Sequence, residues 1–351
     1  MSGANASPTR SASARVAQAR QGAALREARS LKIGRSHQET MKLWNRTQLL
    51  IGIIALIAAA PLLGYVSRKS VVTGGQIVIN KWALSSFPIT WRMNPTRSPN
   101  VAGAGDVENA FLQAFQAWSA ISTATITFAE GQPAEASVKP GLDQINLITT
   151  NLTPSEWAVY GVDAVSLTNV MSSVTTGQIF EADIIFNPNV GFTTEAVTPP
   201  LLPDLQAVAT HEIGHLLGLD HTPLASAVMF PIAAGNGLSR TLTADDTIGV
   251  STLYPTAAFA ARGLLEGTVR TTMNAGVFGA IVVAVGANGQ PMAATVTDPD
   301  GKYSIAGLPA GSYTLLAEPM DGPFTENNFL TPLSSLYPSK TVNINFTTRF
   351  R

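Results

Sequence analysis

Apolar positions change period twice between residues 76 and 256, and each change predicts a different kind of element. Residues 76–88 (QIVINKWALSSFP) and 89–93 are rich in β-branched and aromatic side chains and read as strands, with a break at Pro95. From 106 to 120 the apolar residues Val107, Ala110, Phe111, Ala114, Phe115 and Trp118 recur at three and four, which predicts a helix with one buried face and Asp106 as its N-cap. Short runs punctuated by Gly, Pro and Asn then predict strands in TITFAE, QINLITT, VDAVSLTNV and GQIFEADIIFN, and Pro199, Pro200 and Pro203 close that region. A second helix is expected from Asp204 through His215 to a stop at Gly218. A third is expected from Thr243 to Leu253, with Thr243 and Asp246 forming an acidic capping box.

Beyond Tyr254-Pro255, residues 256–262 read as a linker into sequence of another kind. Residues 263–350 alternate apolar and polar positions in LEGTVRTT, AIVVAVGA, MAATVTD, KYSIAGL, SYTLLAEP and TVNINFTT, separated by Asp300-Gly301 and Pro309-Ala310-Gly311. No helical period appears there, so a small β-sandwich is predicted. The fold class is therefore α+β: a twisted mixed sheet with two long helices and a C-terminal helix over 76–256, then an all-β domain over 263–351.

Charge sharpens the reading of the N-terminus. The net charge of −1 gives no hint of a nucleic-acid partner, yet residues 1–46 hold nine Lys/Arg against Glu27 and Glu39, a basic tail expected to be disordered. Residues 49–66 are 18 positions without a charge, so 47–67 is expected to be a transmembrane anchor or a signal segment. The basic excess on the N-terminal side leaves the tail in the cytoplasm and the globular part outside it. Met41-Lys42 would make an alternative start with the head of a secretory signal. There is no cysteine, which removes disulfides, thiolate ligands and cysteine nucleophiles from consideration.

Chemistry concentrates in THEIGHLLGLDH, residues 210–221. His211 and His215 differ by four positions and share one helical face, and Gly218 can adopt the left-handed conformation that ends a helix and returns His221 to the same point. Three imidazoles with a fourth position open to water are the arrangement of a catalytic zinc. Glu212, beside a ligand, is then the group expected to take the proton of that water. Chance placement of His, Glu, His, Gly and His at these offsets is on the order of one in a million for this composition. The bland alternative is a set of satisfied core histidines.

HEIGHLLGLDH followed by Ala227-Val228-Met229-Phe230-Pro231 resembles the metzincins, and within them the matrixins. The resemblance extends over 76–256 through DVENAFLQAFQAWS, GQIFEADIIFN and TLTADDTIGVSTLYP, and Asp220 fits the same pattern. It implies one catalytic zinc on His211, His215 and His221, Glu212 as the catalytic base, Gly218 as the helix stop, and Met229 as a supporting turn beneath the metal. It also implies a pocket wall within 232–240 and a protein or peptide substrate lying as an extra strand along the sheet edge. Two family features have no counterpart. Apart from His37 no histidine remains for a second zinc, and no cysteine exists for a latency segment. Asp163, Asp183, Asn187 and Asn189 could supply oxygen ligands to calcium, although solvated turn residues are the simpler reading. TVTDPDGKYSIAGLPAGSYTLLAEP resembles the carboxypeptidase regulatory-like, or prealbumin-like, sandwich, a module expected to act as a scaffold. Rival expectations are a catalytically silent surface-binding protein and a protease that trims its own N-terminus.

Overall fold

The computed structural model describes residues 66–351 apart from 95, 97, 197–201 and 233–239. The basic tail, the apolar segment up to residue 65 and most of the expected 232–240 pocket wall therefore lie outside the described residues. Among the described residues no helix is long and apolar enough to cross a membrane.

The first ten strands are β1 (Lys69–Val71), β2 (Ile77–Ile79), β3 (Lys81–Trp82), β4 (Ile89–Met93), β5 (Val101–Ala102), β6 (Phe128–Glu130), β7 (Asn146–Thr149), β8 (Ser166–Ser172), β9 (Gln178–Phe186) and β10 (Phe192–Thr193). The main sheet runs β3-β9-β7-β4-β6 with every neighbouring pair parallel, and β8 lies antiparallel along β9 as its edge. Two expectations are corrected. The chain begins pairing before residue 76: β1 pairs with β2, and Ser67 bridges Leu219. Residues 76–88 are not one strand, because the chain changes partner at Asn80, from β1 to β9, and then makes a 3-10 turn at Leu84–Ser86. The buried Asn80 amide donates to Ser172 Oγ at 3.0 Å and to the Gly177 carbonyl at 3.1 Å, which satisfies the polar group at that switch.

Helix α1 (Val107–Ser119) buries all six residues of the predicted stripe, and Asp106 accepts the Glu108 N–H as its N-cap. Phe115 stacks on Trp91 with ring centroids 4.5 Å apart. Full burial of aromatic side chains such as Phe111 is worth roughly 2–3 kcal/mol each, which makes this face the main anchor of helix on sheet. Helix α2 (Leu205–Leu216) packs against α1, where Trp118 Nε1 donates to the Thr210 carbonyl at 2.8 Å. Its C-terminal carbonyls, which lack helical partners, are met by Trp82 Nε1 on Leu216 (2.7 Å) and Tyr254 Oη on Leu217 (2.6 Å). Helix α3 (Ala244–Leu253) carries the Thr243–Asp246 capping box read from the sequence.

The C-terminal region has six strands: β11 (Gly263–Thr268), β12 (Ile281–Gly286), β13 (Pro291–Val296), β14 (Lys302–Leu308), β15 (Tyr313–Glu318) and β16 (Arg349–Phe350). β11 pairs with β14, and β13-β12-β15-β16 form the second sheet. Strand β12 is covered on both faces. Val282 and Ala284 join Ile305, Leu308 and Ile248 of α3, while Ile281 and Val283 join Phe324, Phe329 and Leu333. That is why its sequence is a continuous apolar run. The strand expected at 341–348 is absent and only β16 pairs, because Asn343 Oδ1 accepts the Asn345 N–H at 2.9 Å and turns the backbone away from the ladder. A 3-10 turn at Glu326–Asn328 and a one-turn helix at Leu333–Leu336 also interrupt the β pattern, as does Ala257–Ala260 in the expected linker.

Candidate metal centre

Asp204 caps α2 by accepting the Ala207 N–H at 3.0 Å, and its other oxygen holds Arg240 Nε at 2.6 Å. The helix then presents His211 and His215 on one face with ring centroids 4.7 Å apart. It stops at Gly218, whose φ of +94° suits glycine, and an added Cβ would lie 2.3 Å from the Asn80 carbonyl oxygen. The chain returns and brings His221 to the same point. The three Nε2 atoms lie 3.0 Å (His211–His215), 3.2 Å (His211–His221) and 3.2 Å (His215–His221) apart.

Each Nδ1 faces a backbone carbonyl: Val228 for His211 at 2.7 Å, Leu219 for His215 at 2.9 Å, and Asn328 for His221. A carbonyl only accepts, so each Nδ1 carries the proton and each Nε2 presents a lone pair. Burial lowers the pKa of His211. It lowers His215 well below the usual range, helped by the neighbouring rings, and takes His221 to about 4. Three neutral rings thus aim lone pairs at one another, which is repulsive unless a cation sits between them. Tetrahedral nitrogen ligands at about 2.05 Å from zinc would stand about 3.3 Å apart, close to the spacing here. Among the described residues this is the one group of three or more His, Asp or Glu able to share an ion.

Glu212 is 4% exposed and is held by the edge strand. Ser166 Oγ donates to Oε1 at 2.5 Å, and Thr168 Oγ1 lies 2.5 Å from Oε2 and 3.0 Å from the Glu212 carbonyl. Burial raises the pKa of this carboxyl, and the two hydroxyls oppose the rise. Met229 is fully buried under α2. A Cβ on Gly214 would meet its Sδ at 2.2 Å, so the glycine lets the turn approach the helix backbone. Asp246 fixes that turn from α3, its oxygens accepting the N–H groups of Val228 and Met229, both at 3.0 Å. Asp220 accepts the His221 N–H at 2.7 Å and the Leu330 N–H at 2.8 Å through one oxygen.

The structure brings His211, Glu212, His215, His221, Gly218 and Met229 together. It does not gather the four candidate calcium residues. Asp183 is buried, its oxygens taken by the N–H groups of Leu147 (3.0 Å) and Gly141 (2.9 Å); Asn187 bonds the Ala164 carbonyl and the Asn189 N–H; Asp163 is exposed on the cleft rim. Ser166, Thr168, Asp246, Asn328 and Leu330 were not foreseen. Only Asp246 left a signal, as part of a capping box, and nothing in that box pointed to the Met229 turn. A cleft of about 570 Å³ opens over the three histidines and Glu212, lined by Ser166, Thr168, Val208, Val228, Pro231 and Leu330 among others. The free side of β8 borders it, and among the described residues β8 pairs only with β9.

The matrixin family model matches residues 81–255, and the carboxypeptidase regulatory-like domain matches 265–328. The chain is 55% identical over 51 residues to Metalloendoproteinase 1-MMP of Arabidopsis thaliana, a stretch covering 14% of each chain. It is 49% identical over 51 residues to karilysin of Tannerella forsythia, covering 14% of this chain and 10% of that one. It is 39% identical over 75 residues to Metalloendoproteinase 1 of Glycine max, covering 21% of this chain and 24% of the relative. These matches thus span less than a quarter of each relative's length.

Proposed function

From a chain that carries a matrixin domain followed by a carboxypeptidase regulatory-like domain, we propose a zinc-dependent endopeptidase that hydrolyses peptide bonds of proteins or peptides outside the cytoplasm. The observation that carries the reading is the convergence of three Nε2 lone pairs at 3.0–3.2 Å with a buried carboxylate beside them. His211, His215 and His221 would hold the ion, with Gly218 and Met229 supporting them. When bound, zinc supplies Lewis acidity that polarises a peptide carbonyl and acidifies water.

Everything else falls to side chains of this chain. An extended substrate would lie along the free edge of β8, which orients the scissile bond over the histidines through backbone hydrogen bonds. Glu212 would accept the proton of the attacking water at a carboxylate oxygen and deliver it to the leaving amine. Ser166 and Thr168 hold that carboxylate toward the cleft edge, and the apolar walls Val208, Val228 and Pro231 exclude water. Export rests on the uncharged 49–66 segment behind a basic tail.

Glu212→Ala tests this directly. Zinc content should stay near one per chain while cleavage of a denatured protein falls by roughly 10²–10⁴-fold or more, the range for loss of a general base. Undiminished cleavage would sink the reading.

A further inference from the structure

The C-terminal domain reaches the metal centre through one short loop. Thr325 caps the 3-10 turn Glu326–Asn328, and Asn328 Oδ1 accepts the Thr325 N–H at 2.7 Å and the Thr325 hydroxyl at 3.2 Å. That internal clamp fixes the turn and leaves the Asn328 carbonyl facing His221 Nδ1. The next residue, Phe329, is buried edge-on against Phe324 at 5.0 Å, and Phe324 lies 6.4 Å from Phe230, which follows Met229. Leu330 then donates its N–H to the Asp220 oxygen that also accepts the His221 N–H. One carboxylate oxygen therefore joins the backbone of the third histidine to the backbone of the distant domain. The Leu330 side chain, 40% exposed, lines the cleft together with His221 and Glu212. Thr331 Oγ1 anchors the end of the loop on the Lys69 carbonyl at 2.8 Å.

We propose that this loop of the C-terminal domain is a working part of the cleft, with the Asn328 carbonyl positioning the ring of His221 and Leu330 forming a specificity-determining wall that favours an apolar substrate side chain beside His221. The apolar cluster of Phe230, Phe324 and Phe329 would suffice for docking alone. It does not account for a carbonyl aimed at a ligand's Nδ1–H, or for a leucine left partly exposed in the cleft beside the reacting groups. Asn328 acts through His221 and is a positioning residue. The Leu330 half rests on the endopeptidase reading; the Asn328 half rests only on the histidines binding a metal.

The test uses the full chain and two independent readouts. Zinc affinity is measured by competition with a chromophoric chelator. Asn328→Ala keeps the main-chain carbonyl but removes the clamp that aims it, and should weaken zinc binding several-fold, below the roughly 10–100-fold loss that follows outright removal of a group orienting a ligand. Asn328→Asp, which keeps the acceptor for both Thr325 donors, should restore wild-type affinity, and Thr325→Val should give a smaller loss in the same direction at an unchanged far-ultraviolet spectrum. Cleavage of a peptide library is the second readout. Leu330→Glu should lower the preference for apolar residues at one substrate position by about 10-fold or more. Wild-type zinc affinity in both Asn328→Ala and Thr325→Val would overturn the positioning role, and an unchanged cleavage profile in Leu330→Glu would overturn the wall. A wild-type protein that binds zinc but cleaves nothing would refute the endopeptidase reading and the wall with it, while the zinc measurements would still decide the role of Asn328.

Discussion

His215 and His221 carry the same ring and converge on the same point, yet the chain holds them by opposite means. The Nδ1 of His215 bonds the carbonyl of Leu219, four residues on, within the turn that ends α2. The Nδ1 of His221 bonds the carbonyl of Asn328, 107 residues on, in another domain. His211 resembles His215, since its partner Val228 lies on the Met229 turn of the same domain. Two of the three histidines are therefore positioned by the peptidase fold itself, whereas the third acquires its partner only when the C-terminal domain is docked.

That contrast can be attacked at three strengths. The largest effect is expected from His215→Ala, which removes a locally held nitrogen and should leave well under one zinc per chain after dialysis, read by atomic absorption. Retention of stoichiometric zinc would mean that the helix pair is not the foundation of the site. Gly218→Ala comes next, because it strains the turn that connects the two modes of support. A Cβ at φ +94°, facing the Asn80 carbonyl at 2.3 Å, should cost about 2–4 kcal/mol in urea denaturation, with zinc affinity reduced as His221 is displaced. The smallest effect concerns the seam between the domains. Asp245 of α3 accepts the Ala294 N–H of β13 at 2.7 Å, and burial, with Asp246 nearby, pushes its carboxyl up to about 8. In the folded chain this group keeps a proton that the unfolded chain releases near pH 4. Its contribution to stability is thus complete below about pH 4 and is lost as pH rises toward 8. Asp183 and Asp220, both raised to about 7 by burial, slope the same way. Asp245→Asn should therefore flatten, without abolishing, the fall in melting temperature between pH 5 and pH 8.

The same contrast explains what could be read in advance. His211, His215 and Gly218 obey local rules of helix face and helix stop, so THEIGHLLGLDH alone disclosed them, whereas Met229 was indicated only by the resemblance to the matrixins. The stripe of α1 was equally plain, because a period of three and four leaves few alternatives. Ser166 and Thr168 were hidden inside a run that read only as a strand, since the sequence states neither which strand becomes the edge nor which face meets Glu212. Asn328 and Leu330 depend on how two domains dock, and no periodicity within either domain encodes that. The strand misplaced at 341–348 failed for a related reason. Its alternation was intact, but an asparagine side chain competed for the backbone.

Asp246 has one more implication. Its oxygens bind the N–H groups of Val228 and Met229 on one side and the N–H and hydroxyl of Thr243 on the other. A single carboxylate thus ties the turn under the histidines to the start of α3, so exchanges within the intervening stretch that keep Arg240 on Asp204 and Phe230 against Phe324 should leave metal loading intact.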